Sequence, residues 1–145
     1  MVSSQAATPL GGNFGVEIKE MDVISISDDD LKELLLTVYR ERVVVLRTNG
    51  FDESAFVAFA RRAGDPIALR IGATEGYPEI STITNVGTDT ASEKRGAAHW
   101  HTDQSFKEDV SSITMLYSVQ APDNGGETRF CDMAAAYADL SASDQ

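Results

Sequence analysis

His99-Trp100-His101-Thr102-Asp103 contains both histidines of the 145-residue chain and places a carboxylate two residues after the second. Read as a strand, the stretch alternates faces, so His101 and Asp103 point the same way with Cα atoms about 6.6 Å apart. That spacing lets an imidazole nitrogen and a carboxylate oxygen meet on one metal ion. Two histidines and one carboxylate on one face of a metal are the ligand set of non-haem Fe(II) oxygenases. A third ligand is needed, and the sequence has no histidine after His101.

His99 shares that face, but on a regular strand it lies about 13 Å from Asp103, so a sharp bulge would be needed to bring both onto one ion. Two further readings stay open. His101 and Asp103 can be a hydrogen-bonded polar pair with no metal, or His99 and His101 can form a cupin-like pair with a distant carboxylate.

Around this stretch the chain alternates short apolar runs with helical periodicity. Residues 1–12 are small and polar and read as a loose leader, and residues 15–21 suit a short strand. Ser27 is an N-cap ahead of three aspartates, where the helix dipole favours negative charge. Leu31, Leu34, Leu35 and Val38 then recur at helical spacing. Residues 43–47 are β-branched and continuous, as in a strand buried on both faces. Asp52 caps a second helix with Phe56, Phe59 and Ala60 on its apolar side and Gly64 as its stop. Residues 64–78 read as a loop, with Arg70 and Tyr77 its candidate functional side chains. Residues 80–84 read as a strand, and residues 87–96 as a polar loop. Residues 112–120 alternate, with Ile113, Met115, Tyr117 and Val119 on one face. Gly125-Gly126 turns the chain into a last strand at residues 128–131.

The run from Trp100 to Phe106 resembles the Trp-His-Thr/Ser-Asp-x-x-Phe motif of the TauD/TfdA family of Fe(II)- and 2-oxoglutarate-dependent dioxygenases. Ala121-Pro122-Asp123-Asn124-Gly125-Gly126-Glu127-Thr128 is similar to the family's Pro-x-x-Gly-Gly-Asp/Glu-Thr motif. Asp132-Met133-Ala134-Ala135-Ala136-Tyr137 with Leu140 is similar to its Ala-Ala-Tyr-x-x-Leu helix. Gly15-Val16-Glu17-Ile18, residues 43–47 and Phe59-Ala60-Arg61-Arg62-Ala63-Gly64 fit the family's N-terminal portion.

The resemblance implies an α+β fold on a double-stranded β-helix (jelly-roll) core with N-terminal helices. It implies His101 and Asp103 as iron ligands and Thr128 as a hydroxyl donor to the far carboxylate of 2-oxoglutarate. Trp100 is expected to pack behind the ligands, and Arg129 to face away from Thr128. The cofactors implied are Fe(II) and 2-oxoglutarate, the latter as cosubstrate, with O2 and a small anionic organic substrate as partners. The family completes its site with a distal histidine and, soon after it, an arginine. Neither is found here, so the expectation is an N-terminal portion of one dioxygenase domain over residues 1–145, truncated and inactive by itself. The rival expectation is a non-catalytic fragment or degenerate relative with a binding or assembly role. Taurine-binding members place an asparagine where this chain has Ala97, which leaves the substrate unnamed.

The net charge of −11 argues against a nucleic-acid partner and against an anionic membrane surface. A hydrophobic content of 42% is enough for a core. Cys131, the one cysteine, cannot form an intrachain disulfide and reads as a core residue in a reducing, cytoplasmic setting. Met1 to Ala7 has no basic or apolar leader pattern. Unpaired strand edges in half a jelly roll predict self-association, for example as a homo-oligomer.

Overall fold

The computed structural model describes residues 7–69, 72–84 and 99–145. They fall into two compact units, Met1–Gly50 with Ser118–Gln145, and Phe51–Tyr117. Arg70, Ala97 and the loop expected at residues 87–96 lie outside the described residues.

The first unit is built on a three-stranded sheet of β1 (Ala7–Pro9), β2 (Val16–Ile18) and β3 (Val44–Leu46), in that order. β1 runs antiparallel to β2, with Thr8 opposite Glu17. β3 runs parallel to β2, with Val16 opposite Val44 and Ile18 opposite Leu46. A parallel pair needs a long crossover, and helix α1 (Asp28–Glu41) supplies it. Ser27 caps α1 as expected, accepting from the Asp30 amide at 3.1 Å. Leu31 and Leu34 turn inward and, with Ile18, Val23 and Ile26, form the buried core of this unit. Each buried aliphatic side chain of this kind contributes roughly 1.5–3 kcal/mol.

Gly15 is required where the chain enters β2. Its φ is +88°, and a Cβ there would lie 3.1 Å from Leu10 Cδ1. The left-handed backbone aligns the Gly15 amide with the Glu41 carbonyl at 3.0 Å and the Val16 amide with the Val43 carbonyl at 3.0 Å.

Two expectations are corrected by this sheet. Residues 7–9 of the expected leader form a strand, because β2 offers an unpaired edge; Pro9, which has no amide hydrogen, sits on that outermost strand. β3 is half-buried rather than buried on both faces, since it pairs on one side only among the described residues.

The second unit contains helix α2 (Glu53–Ala63) and a hairpin of β4 (Ala73–Thr74) and β5 (Tyr77–Ser81). Asp52 caps α2 through the Ala55 amide at 2.7 Å, and the Gly64 amide closes its end on the Ala60 carbonyl. Val57 and Phe59 are the buried positions of α2. The hairpin occupies part of the expected loop, and β5 begins three residues before the expected strand. Arg61 on α2 ties β5 down through Glu79 at 2.5 Å. Phe51, Phe56, Phe59 and Tyr117 form an aromatic cluster, in which Phe51 and Tyr117 meet edge-on with centroids 5.3 Å apart.

The fold is therefore mixed, with helices and two small sheets. The strands expected at residues 112–120 and 128–131 belong to no sheet among the described residues. A strand is held by a neighbour that takes its amides and carbonyls, and these segments have none there. The expected alternation nevertheless survives in part: Ile113 and Met115 are exposed differently from their neighbours, with Met115 half-buried between exposed Thr114 and Leu116. Cys131 is exposed, not core. No helix among the described residues is long and apolar enough to cross a membrane.

The Ala-Ala-Tyr motif forms helix α3 (Met133–Ala138) in the first unit. Asp132 caps it, accepting from the Ala134 and Ala135 amides at 3.0 and 3.1 Å.

Candidate functional site

His101 and Asp103 are brought together in the second unit at the start of a turn. The Lys107 amide closes that turn on the Gln104 carbonyl at 3.0 Å, and Gln104 adopts a left-handed φ of +54°. Single left-handed non-glycine residues cost about 1–2 kcal/mol and persist where surrounding structure imposes them. The chain thus turns away immediately after Asp103 instead of continuing as a strand. The Gln104 side-chain oxygen is buried and has no hydrogen-bond partner among the described residues.

Three short contacts define the pair. His101 Nδ1 lies 2.8 Å from the His99 carbonyl oxygen. His101 Nε2 lies 3.2 Å from Asp103 Oδ1. The Thr114 hydroxyl donates to Asp103 Oδ2 at 2.9 Å. A carbonyl can only accept, so Nδ1 carries the proton in the first contact. In the neutral imidazole, Nε2 then turns its lone pair towards a carboxylate oxygen. Two acceptors at that distance call for a proton or a cation between them.

The donor set fits a first-row metal ion. Nitrogen and oxygen donors at about 2.1 Å from a metal, set at a right angle, are about 3.0 Å apart, and at a tetrahedral angle about 3.4 Å. The observed 3.2 Å falls between these values. The side chains are half exposed, at 50% for His101 and 46% for Asp103, so an ion has access.

His99 takes part through its main-chain carbonyl. No cluster of three or more histidine, cysteine or acidic side chains able to hold a metal exists among the described residues. His101 and Asp103 are the two side chains with metal-binding atoms that meet here. Trp100, expected to pack behind the ligands, is 70% exposed, because no sheet among the described residues covers it.

Thr128 belongs to the first unit and is exposed, in irregular chain between the Gly-Gly turn and Asp132. The turn itself has a clear cause. Gly126 has φ +75°, and a Cβ there would press to 3.2 Å on Pro122 Cγ, so Pro122-Asp123-Asn124-Gly125-Gly126 closes only with glycine at that position. Arg129 is exposed beside Thr128.

Thr114 was not singled out by the sequence. The available signal was the period of two: with Ile113 and Met115 expected inward, Thr114 faces out. What its hydroxyl meets, eleven positions back at Asp103, follows from tertiary structure alone.

Motifs, pair geometry and helix α3 together define a class, and comparison with known proteins agrees. The family model "Taurine catabolism dioxygenase TauD, TfdA family" matches residues 6–145, and the chain belongs to this family. It is similar to an alpha-ketoglutarate-dependent 2,4-dichlorophenoxyacetate dioxygenase of Cupriavidus pinatubonensis, at 29% identity over 92% of this chain and 52% of the relative. It is similar to pentalenolactone F synthase of Streptomyces arenae, at 38% identity over 77% of this chain and 40% of the relative. An alpha-ketoglutarate-dependent sulfate ester dioxygenase of Pseudomonas putida is 29% identical over 91% of this chain and 43% of the relative. The chain spans about half or less of the length of these curated relatives.

Proposed function

We propose that the chain carries the front part of an Fe(II)- and 2-oxoglutarate-dependent dioxygenase that oxidises a C–H bond of a small anionic organic substrate. The observation that carries this reading is the 3.2 Å approach of His101 Nε2 to Asp103 Oδ1 inside the Trp-His-Thr-Asp motif. Relatives named for a phenoxyacetate and for a sulfate ester support an anionic substrate.

In this reading His101 binds iron through Nε2, because its Nδ1 proton is engaged by the His99 carbonyl. Asp103 binds through Oδ1 and offsets part of the metal's charge. The Thr128 hydroxyl donates to the far carboxylate of 2-oxoglutarate, adding directionality without cancelling charge. When bound, Fe(II) with 2-oxoglutarate supplies the activation of O2 that attack on an unactivated C–H bond requires. The balance is one O2, one 2-oxoglutarate and one C–H bond giving succinate, CO2 and an alcohol, with one oxygen atom to each organic product.

We assign the third iron ligand and the cation for 2-oxoglutarate to sequence beyond these 145 residues, since His99 meets His101 through its main-chain carbonyl and not through its imidazole. A jelly-roll core completed by further strands belongs to the same proposal. It would cover Trp100 and Phe106, now 70% and 86% exposed, and exclude water from the site. The protein would act on small molecules in the cytoplasm, without nucleic-acid or membrane partners, and sedimentation would test for homo-oligomers.

One observation favours a second reading for these residues taken alone. Two half-exposed ligands hold iron weakly, which fits a binding or assembly role without turnover. Titration with Fe(II) under anaerobic conditions tests the metal pair: binding should be lost in His101→Ala and in Asp103→Ala. Succinate formation from 2-oxoglutarate and O2 then separates the two readings. The isolated chain should form none, and a protein extended by the relatives' C-terminal half should form it. Fe(II) binding that survives both substitutions overturns the proposal.

A further inference from the structure

We propose that Thr114 is a positioning residue that makes Asp103 a one-oxygen metal ligand. The inference rests on the reading of His101 and Asp103 as a metal pair and adds to it a residue that the sequence motif does not contain.

A carboxylate on an exposed turn rotates freely about its last bond, and either oxygen, or both, can then face a metal. Here the rotation is restrained. Thr114 Oγ1 donates to Asp103 Oδ2 at 2.9 Å, which leaves Oδ1 towards His101 Nε2 at 3.2 Å. The His99 carbonyl does the same for the imidazole by holding Nδ1 at 2.8 Å. Each ligand therefore has one polar atom engaged by the protein and the other directed to the shared centre. Partners of this kind orient metal ligands and tune their basicity.

Threonine suits the task for two reasons. A carboxylate is acceptor-only when ionised, so the hydroxyl must donate, and its charge-neutral hydrogen bond does not compete with the metal for Asp103. The branched side chain is also stiff at χ1, so the hydroxyl is presented from a fixed base. Engaging Oδ2 further disfavours chelation by both oxygens, which keeps a coordination position available for other ligands.

The test uses the 145-residue protein with Co(II) as probe, read by binding isotherm and by the visible ligand-field bands. Thr114→Val removes the hydroxyl at nearly constant shape and should weaken Co(II) by about 10- to 100-fold, with altered band positions. Thr114→Ser keeps the donor and should restore most of the affinity and the wild-type bands, a recovery that a merely structural role would not produce. Thr114→Ala removes the hydroxyl with less bulk and should match Thr114→Val; circular dichroism and a thermal melt accompany each variant. Wild-type affinity and bands in Thr114→Val and Thr114→Ala, with binding lost in Asp103→Ala, overturn the role of Thr114 while sparing the metal pair. Co(II) binding that is absent from the wild type, or indifferent to Asp103→Ala, overturns the metal pair itself and this inference with it.

Discussion

Arg42 Nε lies 2.9 Å from Asp132 Oδ2, while Asp132 Oδ1 accepts the first amides of α3. One carboxylate thus joins the end of α1 to the start of the Ala-Ala-Tyr helix within the first unit. Arg42 does this from a left-handed backbone with φ +67°, where glycine is the usual residue. Its guanidinium also donates to the Arg40 carbonyl at 3.1 Å. Arg42 thus combines an ion pair and a hydrogen bond with a backbone conformation that glycine adopts more readily.

The link predicts opposing effects that one substitution separates. Arg42→Gly relieves about 1 kcal/mol of left-handed strain and removes an ion pair worth about 0–1 kcal/mol at a partly exposed site. Global stability should change little, while the amides of Ala134 and Ala135 should exchange faster with deuterium. Asp132→Ala removes cap and ion pair together and should cost about 1–2 kcal/mol of local helix stability. Asp132→Asn keeps an N-cap oxygen, so unchanged exchange in that variant would show that the cap alone matters.

Under the proposed function, Thr128 and Asp103 should fail differently in a protein extended by the relatives' C-terminal half. Thr128→Val keeps the branched shape and loses a hydroxyl whose bond to a charged group contributes roughly 1.5–3 kcal/mol, or about a 10- to 150-fold rise in the KM for 2-oxoglutarate. Iron affinity should hold. Asp103→Ala should abolish iron binding. Separate titrations of Fe(II) and 2-oxoglutarate check both, and an unchanged KM would return Thr128 to the role of a chain-filling residue.

Two carboxylates predict a loss of stability in acid. The hydrogen bond from Arg61 holds Glu79 below the usual glutamate range, aided by a backbone hydrogen bond. The hydrogen bond from Arg47 does the same for Glu17, outweighing the effect of burial and reinforced by the charges of Arg47 and Lys19. A lowered folded-state pKa means that the unfolded chain takes up the proton first. The stabilisation is therefore complete above the unfolded pKa of about 4.3 and is lost as pH falls through the lower folded value. Melting temperatures measured from neutral to acid pH should decline less steeply in Glu79→Gln than in the wild type. Because the partner side chains Arg47 and Arg61 are largely exposed, added salt should reduce the difference. Superimposable pH profiles for the two proteins would mean that the Arg61–Glu79 pair contributes nothing to stability.

Tyr117 anchors its segment at two points, its ring on Phe51 and its hydroxyl accepting the Phe51 amide at 3.2 Å. Tyr117→Phe should cost about 0.5–1.5 kcal/mol by leaving that amide without its acceptor. Tyr117→Ala should cost more by also opening the aromatic cluster. Urea denaturation of the two variants measures the difference; equal midpoints for Tyr117→Phe and the wild type would assign the whole effect to ring packing.

Local chemistry makes much of this protein legible in its sequence. Ser27, Asp52 and Asp132 mark helix starts because a short oxygen-bearing side chain next to a helical run satisfies free amides wherever that helix packs. The His101-x-Asp103 spacing likewise brings the two side chains within reach of each other, at 3.2 Å, since two residues span a short distance in almost any extended backbone. Tertiary structure decided what depends on a partner remote in sequence. β1 became a strand because β2 presented an open edge. Residues 112–120 and 128–131 remained outside any sheet because nothing among the described residues pairs with them. Trp100 and Cys131 stayed exposed because no layer covers them there. The Thr114 hydroxyl found Asp103, and Arg42 found Asp132, because folding brought distant segments within hydrogen-bonding reach. Caps and periodicity act within one or two turns of chain and can be read from it, whereas ladders, burial and ligand orientation depend on neighbours that only the folded chain supplies.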